Sequence, residues 1–415
     1  MAVTELLGLP RTRGRLPLVA AQGVDALGTG LFLPFAVVYF HVAKNLPLTA
    51  VGGALSAAAL LALPAGPLAG PLVDRLGARR VVVVANLLRV LTFAGYVFAG
   101  SLWQLVVLAA LTFWGEGLFW PASGALVAQV ADEGQRARWY AMDRALRNIG
   151  IGVGGLAGGV LVAWGGTGGY TGIVLLNAAT FLVAAALVAS WRGPAAAPAP
   201  PPRETAARGG YRAVLADRAF RRVLVTVFVF ALCDLALTVL LSAYVIDTLR
   251  LPSWQPGILF ALNTVLVVAG QTVVASRLEG HRKSRVLQVA AVVWALSFLL
   301  FAVVPLAMPV PAIVVLTVAT AVFTAAELLQ APTSSALTVA LAPPHLRGRY
   351  FGLEELLWGA ARVVAPVTFT ALLAGGAQLP WLVLAGCCAA AFAVLKGLKP
   401  AAAHEASEAK EPADA

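Results

Sequence analysis

A chain of 415 residues that is 60% hydrophobic and only 12% charged carries more apolar side chain than a water-soluble core can hide. A mean hydropathy of +0.86 excludes an ordinary soluble domain and points to a bilayer as solvent for much of the surface. The formal charge of +11 does not indicate nucleic acid, because the arginines stand in short turns between apolar runs rather than on one amphipathic face.

In chain order, apolar runs of about 20 residues, the length that crosses a bilayer, are expected near residues 16–40, 49–73, 81–100, 102–130, 140–164 and 170–191. A second six follow near residues 220–247, 254–276, 286–305, 310–341, 350–374 and 379–398. The first run follows Arg11, Arg13 and Arg15 and is longer than the apolar core of a signal peptide, so it reads as an uncleaved span. Between the sets lies a proline- and arginine-rich stretch with the composition of a solvated linker. The expected organisation is a six-helix bundle over residues 1–191, a linker over 192–218, a second bundle over 219–400 and a disordered tail over 401–415.

Lysine and arginine fall on alternate connections: Arg75, Arg79 and Arg80, then Arg136 and Arg138, the linker, Arg277 to Arg285, and Arg347 with Arg349. By the positive-inside rule both termini and the linker are cytoplasmic. Cys233, Cys387 and Cys388 lie inside apolar runs without metal-ligand spacing, so neither a disulfide framework nor a metal site is expected.

The two halves share a pattern. Glu116, Leu118, Pro121, Ser123, Ala125, Leu126, Ala131, Arg136 and Arg138 recur, at one constant offset and without a gap, as Glu327, Leu329, Pro332, Ser334, Ala336, Leu337, Ala342, Arg347 and Arg349. A carboxylate, a proline and an Arg-x-Arg turn repeated at half-chain separation argue for a duplicated architecture.

After the second run comes Gly70-Pro-Leu72-Val-Asp74-Arg75-Leu-Gly77-Ala78-Arg79-Arg80. It resembles the GxLxDRxGRR loop between helices two and three of the major facilitator superfamily, with Ala78 in place of one usual basic residue. The spacing has a physical sense: Gly70 admits a close neighbour, Gly77 turns the chain and the arginines lie at the membrane surface. The resemblance implies an all-α, twelve-helix transporter of two pseudo-repeated halves. It also implies that Gly70, Asp74, Arg75, Gly77, Arg79 and Arg80, with Arg136 and Arg138, form a conformational latch facing the helix that begins near Gly348 to Tyr350.

In the fifth run Gly150, Gly154, Gly155, Gly158 and Gly159 resemble the GxxxGPxxGG signature of that superfamily's drug/proton antiporters, with Gly155 where proline is usual and Pro366 at the matching place of the second half. Glycines at i, i+4 and i+8 line one helix face and let another helix approach closely. The fourth run departs from those antiporters, for residues 105–130 hold no basic residue. Arg89 supplies the mid-membrane cation instead, nine residues past Arg80 and roughly 14 Å deeper at 1.5 Å per residue.

Ionisable groups in hydrocarbon are expensive unless they face a cavity or a partner. Asp25, Glu116, Asp234 and Glu327 are the four deep acids, and with Arg89 they are the candidate proton- or substrate-binding residues. If Arg89 pairs with one acid, another left alone binds a proton near neutral pH. Asp25 and Glu116 rank first. Phe113, Trp120 and Ser123 share the face of Glu116, and Thr324, Gln330 and Ser334 that of Glu327, giving a cavity lining suited to amphipathic or cationic aromatic compounds. Asp143 and Arg147, at i and i+4, read as an intrahelical pair. Trp103, Trp191 and Trp381, near span ends, read as interfacial, and Pro34, Pro64, Pro121, Pro332 and Pro366 as kinks.

No GxxxxGK[ST] phosphate loop occurs, so an ion gradient or the substrate's own gradient must drive transport. The reading is a multi-pass cell-membrane transporter, not an enzyme, exporting a drug-like or secondary-metabolite compound in exchange for protons. Its partners are that small molecule, protons and lipid. No cofactor, no metal, no nucleic acid and a monomer are expected. The rival readings are a proton-coupled uptake symporter for a sugar or organic anion and a transport-inactive sensor or scaffold.

Overall fold

The computed structural model describes residues 14–131, 135–191, 211–278, 280–306, 311–343 and 346–397; the expected tail and most of the linker lie outside them. Among the described residues every regular element is helical and no strand occurs. Among the described residues nine helices are long and apolar enough to cross a membrane, or ten if the bent pair α2 (Leu48–Ala62) and α3 (Ala65–Leu76) counts as one span. Leu91, Phe98 and Trp164 are 69%, 82% and 88% exposed, as a lipid solvent requires.

Helix α1 (Leu16–Phe32) continues through a 3₁₀ turn at Leu33–Phe35 and a π turn at Tyr39–Ala43. Pro34 causes the change, because proline lacks an N–H and its ring crowds the preceding turn. The Pro34 carbonyl accepts from the Ser242 hydroxyl. Pro64 coincides with the 42° bend between α2 and α3. Gly77, at φ 83°, then turns the chain directly into α4 (Ala78–Tyr96). Pro121, Pro332 and Pro366 lie inside uninterrupted helices. Beyond Pro366 the Val367 N–H donates to the Ser56 hydroxyl of α2 at 3.0 Å, a neighbour's hydroxyl serving the backbone beside a membrane proline.

Helix α5 (Leu102–Val130) starts on a Ser101/Gln104 capping box. The 55-residue α6 (Arg136–Ser190) is two helices joined at Gly166, whose φ of 51° and ψ of −131° no helical residue adopts. The second half comprises α7 (Tyr211–Ala216), α8 (Arg218–Leu235), α9 (Gln255–Arg277), α10 (Lys283–Val303), α11 (Pro311–Leu341), α12 (Arg347–Gly375) and α13 (Leu379–Lys396). Asp217 caps α8 by accepting from the Ala219 and Phe220 N–H groups.

Two compact units emerge. One joins residues 1–201 with Leu237–Val268 and Val363–Ala374; the other joins Pro202–Ala236, Ala269–Arg362 and Gly375–Ala415. In the first, Phe32, Tyr39, Phe40, Phe93 and Tyr96 form an edge-to-face cluster. In the second, Trp294 sits fully buried between Phe230 and Phe323. Trp381 corrects an expectation: it is 1% exposed and stacks on Phe301 at 4.5 Å, because its position near a span end still faces the bundle.

Candidate functional site

Asp25 sits midway along α1, and Arg89 faces it from α4. The Arg89 Nη2 donates to Asp25 Oδ1 at 2.6 Å, with the two side chains 3% and 8% exposed. The same nitrogen donates to Asn86 Oδ1, one turn earlier on α4. The guanidinium lies over the Phe119 ring at 4.4 Å and the Phe181 ring at 4.0 Å. One carboxylate, one amide oxygen and two π faces therefore hold a single cation, and four separate helical segments supply them.

Small residues make this contact possible. A Cβ on Gly115 would strike the Arg89 stem at 2.8 Å, so any larger residue there would force the arginine or α5 to shift. Gly150, Gly154 and Gly158 all face α1, where added carbons would run into Ala26, Leu27 and Leu31. Gly155 and Gly159 look instead toward Phe260, Trp254 and Gly257 of the first unit. The glycine stripe thus has two faces, one on α1 and one on the start of α9 and the residue before it.

The other acids stand apart from this cluster. Glu116 is half-buried on α5, within electrostatic range of Tyr96, which bonds Thr112 at 2.8 Å. Asp234 is half-buried on α8, where Arg362 is the charge acting on it. Arg362 also pairs with Glu355 at 3.4 Å. Glu327 is half-buried on α11. The repeated sequence pattern does not extend to the ion pair, for its constant offset sets Leu300 opposite Arg89.

Of the expected lining, Phe113 is half-buried and Ser123 is buried, taking a 2.6 Å hydrogen bond from Gln22. Trp120 is 44% exposed, and the Arg147 guanidinium covers its ring at 3.4 Å. Thr324, Gln330 and Ser334 are buried, and the Thr324 hydroxyl donates back to Thr320 at 2.8 Å. Arg147 also pairs with Asp143 at 3.4 Å, the i, i+4 arrangement the spacing implies.

In the loop, Gly70, Asp74, Arg75 and Arg80 are exposed, as is Arg138. The Arg136 side chain is outside the described residues. Arg79 reaches across the first unit to the Val188 and Ala189 carbonyls at the end of α6, fixing two spans at the arginine-bearing end.

The sequence reading missed Gln22, Asn86, Phe119 and Phe181. Gln22 and Asn86 had a signal, each lying one helical turn before a deep charge; the two rings, from other helices, had none. Glu354, which accepts from the Thr338 hydroxyl, was also missed.

Comparison with known proteins adds three findings. The sequence profile of the Major Facilitator Superfamily matches residues 18–326. Multidrug resistance protein MdtH of Aeromonas hydrophila subsp. hydrophila is 30% identical over 380 residues, covering 90% of this chain and 92% of that protein, and a Na(+), Li(+), K(+)/H(+) antiporter of Planococcus maritimus is 25% identical over 407 residues, covering 88% and 90%. The crystal structure of nucleoside transporter NupG superposes with a TM-score of 0.77 at 14% identity, covering 93% of this chain and 98% of that one, a likeness of fold alone.

Proposed function

Because the chain belongs to the Major Facilitator Superfamily of membrane transporters, we propose that it exports a small amphipathic compound across the cytoplasmic membrane in exchange for protons. The observation that carries this reading is the Asp25–Arg89 pair, two desolvated charges 2.6 Å apart in an apolar bundle. Such a pair stabilises a fold no better than apolar side chains of equal volume, and often less well. A charge that changes during the transport cycle accounts for its presence.

Asn86 Oδ1 and the two rings offer the guanidinium a second resting place. When Arg89 turns wholly to them, the Asp25 carboxylate loses its counter-charge in a low-dielectric setting and takes up a proton. When Arg89 returns, the proton leaves. Glu116, Asp234 and Glu327 serve as further acids for cationic substrate groups, with Trp120 as an aromatic contact. The loop from Gly70 to Arg80 is the latch.

Export is favoured over uptake by the MdtH relative, and exchange by the relative named as an antiporter. Twelve spans in two six-helix halves fit the helices described: α6 breaks at Gly166, α2 and α3 form one bent span, and α4 has 19 residues despite Arg79, Arg80 and Arg89. The arginine-bearing ends, and with them both termini, are cytoplasmic. The protein acts as a monomer in lipid, without cofactor.

Inverted vesicles carrying the protein test this reading. Acidifying the lumen should drive accumulation of a cationic dye in the parent and not in Asp25→Asn. Dye moving the opposite way down an imposed proton gradient would establish uptake, and no movement with any compound of a broad panel would establish a scaffold.

A further inference from the structure

Below the ion pair, toward the arginine-bearing end, lies a partly open cavity of about 30 Å³ between α1, α4, α5 and α6. Its wall is apolar except for Gln22, Asn86, Trp139 and Asp143. On these lining residues Asn86 Nδ2, Trp139 Nε1 and Asp143 Oδ1 are buried without a hydrogen-bond partner, and Asn86 and Trp139 are 1% and 3% exposed. Three unpaired polar atoms on one small chamber call for a ligand, because a buried donor or acceptor left unmade is destabilising. Two N–H donors and one carboxylate acceptor match water, which accepts and donates. The volume exceeds the roughly 10–15 Å³ that one water molecule needs.

The chamber is placed to serve the pair above it. Gln22 lies one turn before Asp25 on α1, and Asn86 one turn before Arg89 on α4, where its oxygen holds the guanidinium. Toward the membrane surface, the Arg15 guanidinium lies 5.7 Å above the Trp139 ring. The charges around the chamber are Asp25 and Arg89 above, Arg144 and Arg147 on the helix of Asp143, and Arg15 over Trp139.

The geometry points to a hydrated chamber whose one or two waters bridge Asn86, Trp139 and Asp143 and carry protons between Asp25 and the cytoplasm, with Asp143 as the relay. In the outgoing direction the Asp25 carboxyl gives its proton to the nearer water, which passes one of its own protons to Asp143 Oδ1. Asp143 then releases a proton to bulk water, leaving the waters and the Asp143 carboxylate as they began and Asp25 as a carboxylate, one proton having passed to the cytoplasm. Asp143 is a positioning partner of Arg147 as well, and the test must separate the two roles. This inference rests on Asp25 being the proton-binding group.

Met142 lines the chamber and reports on its water. In the full-length protein in nanodiscs, X-ray radiolysis should oxidise Met142 through radicals born on adjacent bound water, although the side chain is buried. Val188→Leu, which adds one methylene to the chamber wall, should lower that labelling several-fold. Substrate-triggered proton release should slow about tenfold in Asp143→Asn, with substrate affinity kept, and Asp143→Glu should recover most of the rate. An unlabelled Met142 in the parent would mean a dry chamber and end the proposal. So would parent-like release in Asp143→Asn, or a glutamate variant as slow as the asparagine one, which would leave Asp143 only its structural role. Failure of the function reading looks different: Asp25→Asn would release protons like the parent whether or not Met142 is labelled.

Discussion

Replacing Asp25 by asparagine keeps the side chain's size and removes its charge, which isolates the electrostatic part of the ion pair. At 2.6 Å and an effective dielectric of about 20, Coulomb's law gives roughly 6 kcal/mol of attraction. Desolvation of the two ions offsets much of this, and removing one member of a buried pair is observed to cost about 3–5 kcal/mol. Arg89 keeps Asn86 Oδ1 and the rings of Phe119 and Phe181 in the variant. Each desolvated cation–π contact is worth about 2 kcal/mol, so the expected loss lies near the lower end, about 3 kcal/mol. Adding Arg89→Met to Asp25→Leu should return stability to within about 1 kcal/mol of the parent, as apolar replacements of buried ion pairs do. Denaturant unfolding in detergent, followed by circular dichroism, measures all four corners of the cycle. A coupling energy near zero, with the double variant as unstable as the two single losses added, would refute the claim that these charges depend on each other.

Three further outcomes follow from contacts elsewhere. Gly154→Val should destabilise by about 1–3 kcal/mol because its side chain meets the α1 backbone at Leu27 and Leu31; Gly155→Ala, whose new carbon has Phe260 at an ordinary 3.5 Å, should change stability by less than about 0.5 kcal/mol, as unfolding of both variants will report. Ser56→Ala strips the Val367 N–H of its acceptor beside Pro366 and should cost about 1–3 kcal/mol in the same assay. His41, in the first of the two proposed six-helix halves, and Asp247, in the second, meet at 3.2 Å; if alternating access parts these halves, cysteines at both places, joined by a short bifunctional thiol reagent, should halt dye transport in vesicles until the bridge is cleaved.

Much of the fold was legible because each feature has a local cause. Apolar runs bounded by arginine turns matched the long apolar helices among the described residues, Gly77 and Pro34 announced their own backbone geometry, and the stripe of Gly150, Gly154 and Gly158 announced a close neighbour. Asp143 and Arg147 paired as their spacing dictates, since both lie on one helix. The partner of Arg89 was not legible. The sequence leaves open which of the deep acids Arg89 meets, because the choice depends on how α1, α4 and α5 are rotated about their axes. In lipid, outward and inward helix faces are both apolar, so the hydrophobic pattern that fixes rotation in water is silent. Trp381 misled for the same reason: a tryptophan near a span end suits the interface, yet rotation of α13 turned it onto Phe301. Helical spacing sets Trp120 beside an acid, and Arg147, one helix away in space, covers it instead.

The account depends most on Asp25 exchanging a proton as substrate binds. Adding substrate to purified protein in weakly buffered solution, with a pH-sensitive dye as reporter, measures this directly. Protons should be released by the parent, by Glu116→Gln, by Asp234→Asn and by Glu327→Gln, and not by Asp25→Asn that still binds substrate. Release from Asp25→Asn equal to that of the parent would contradict the account.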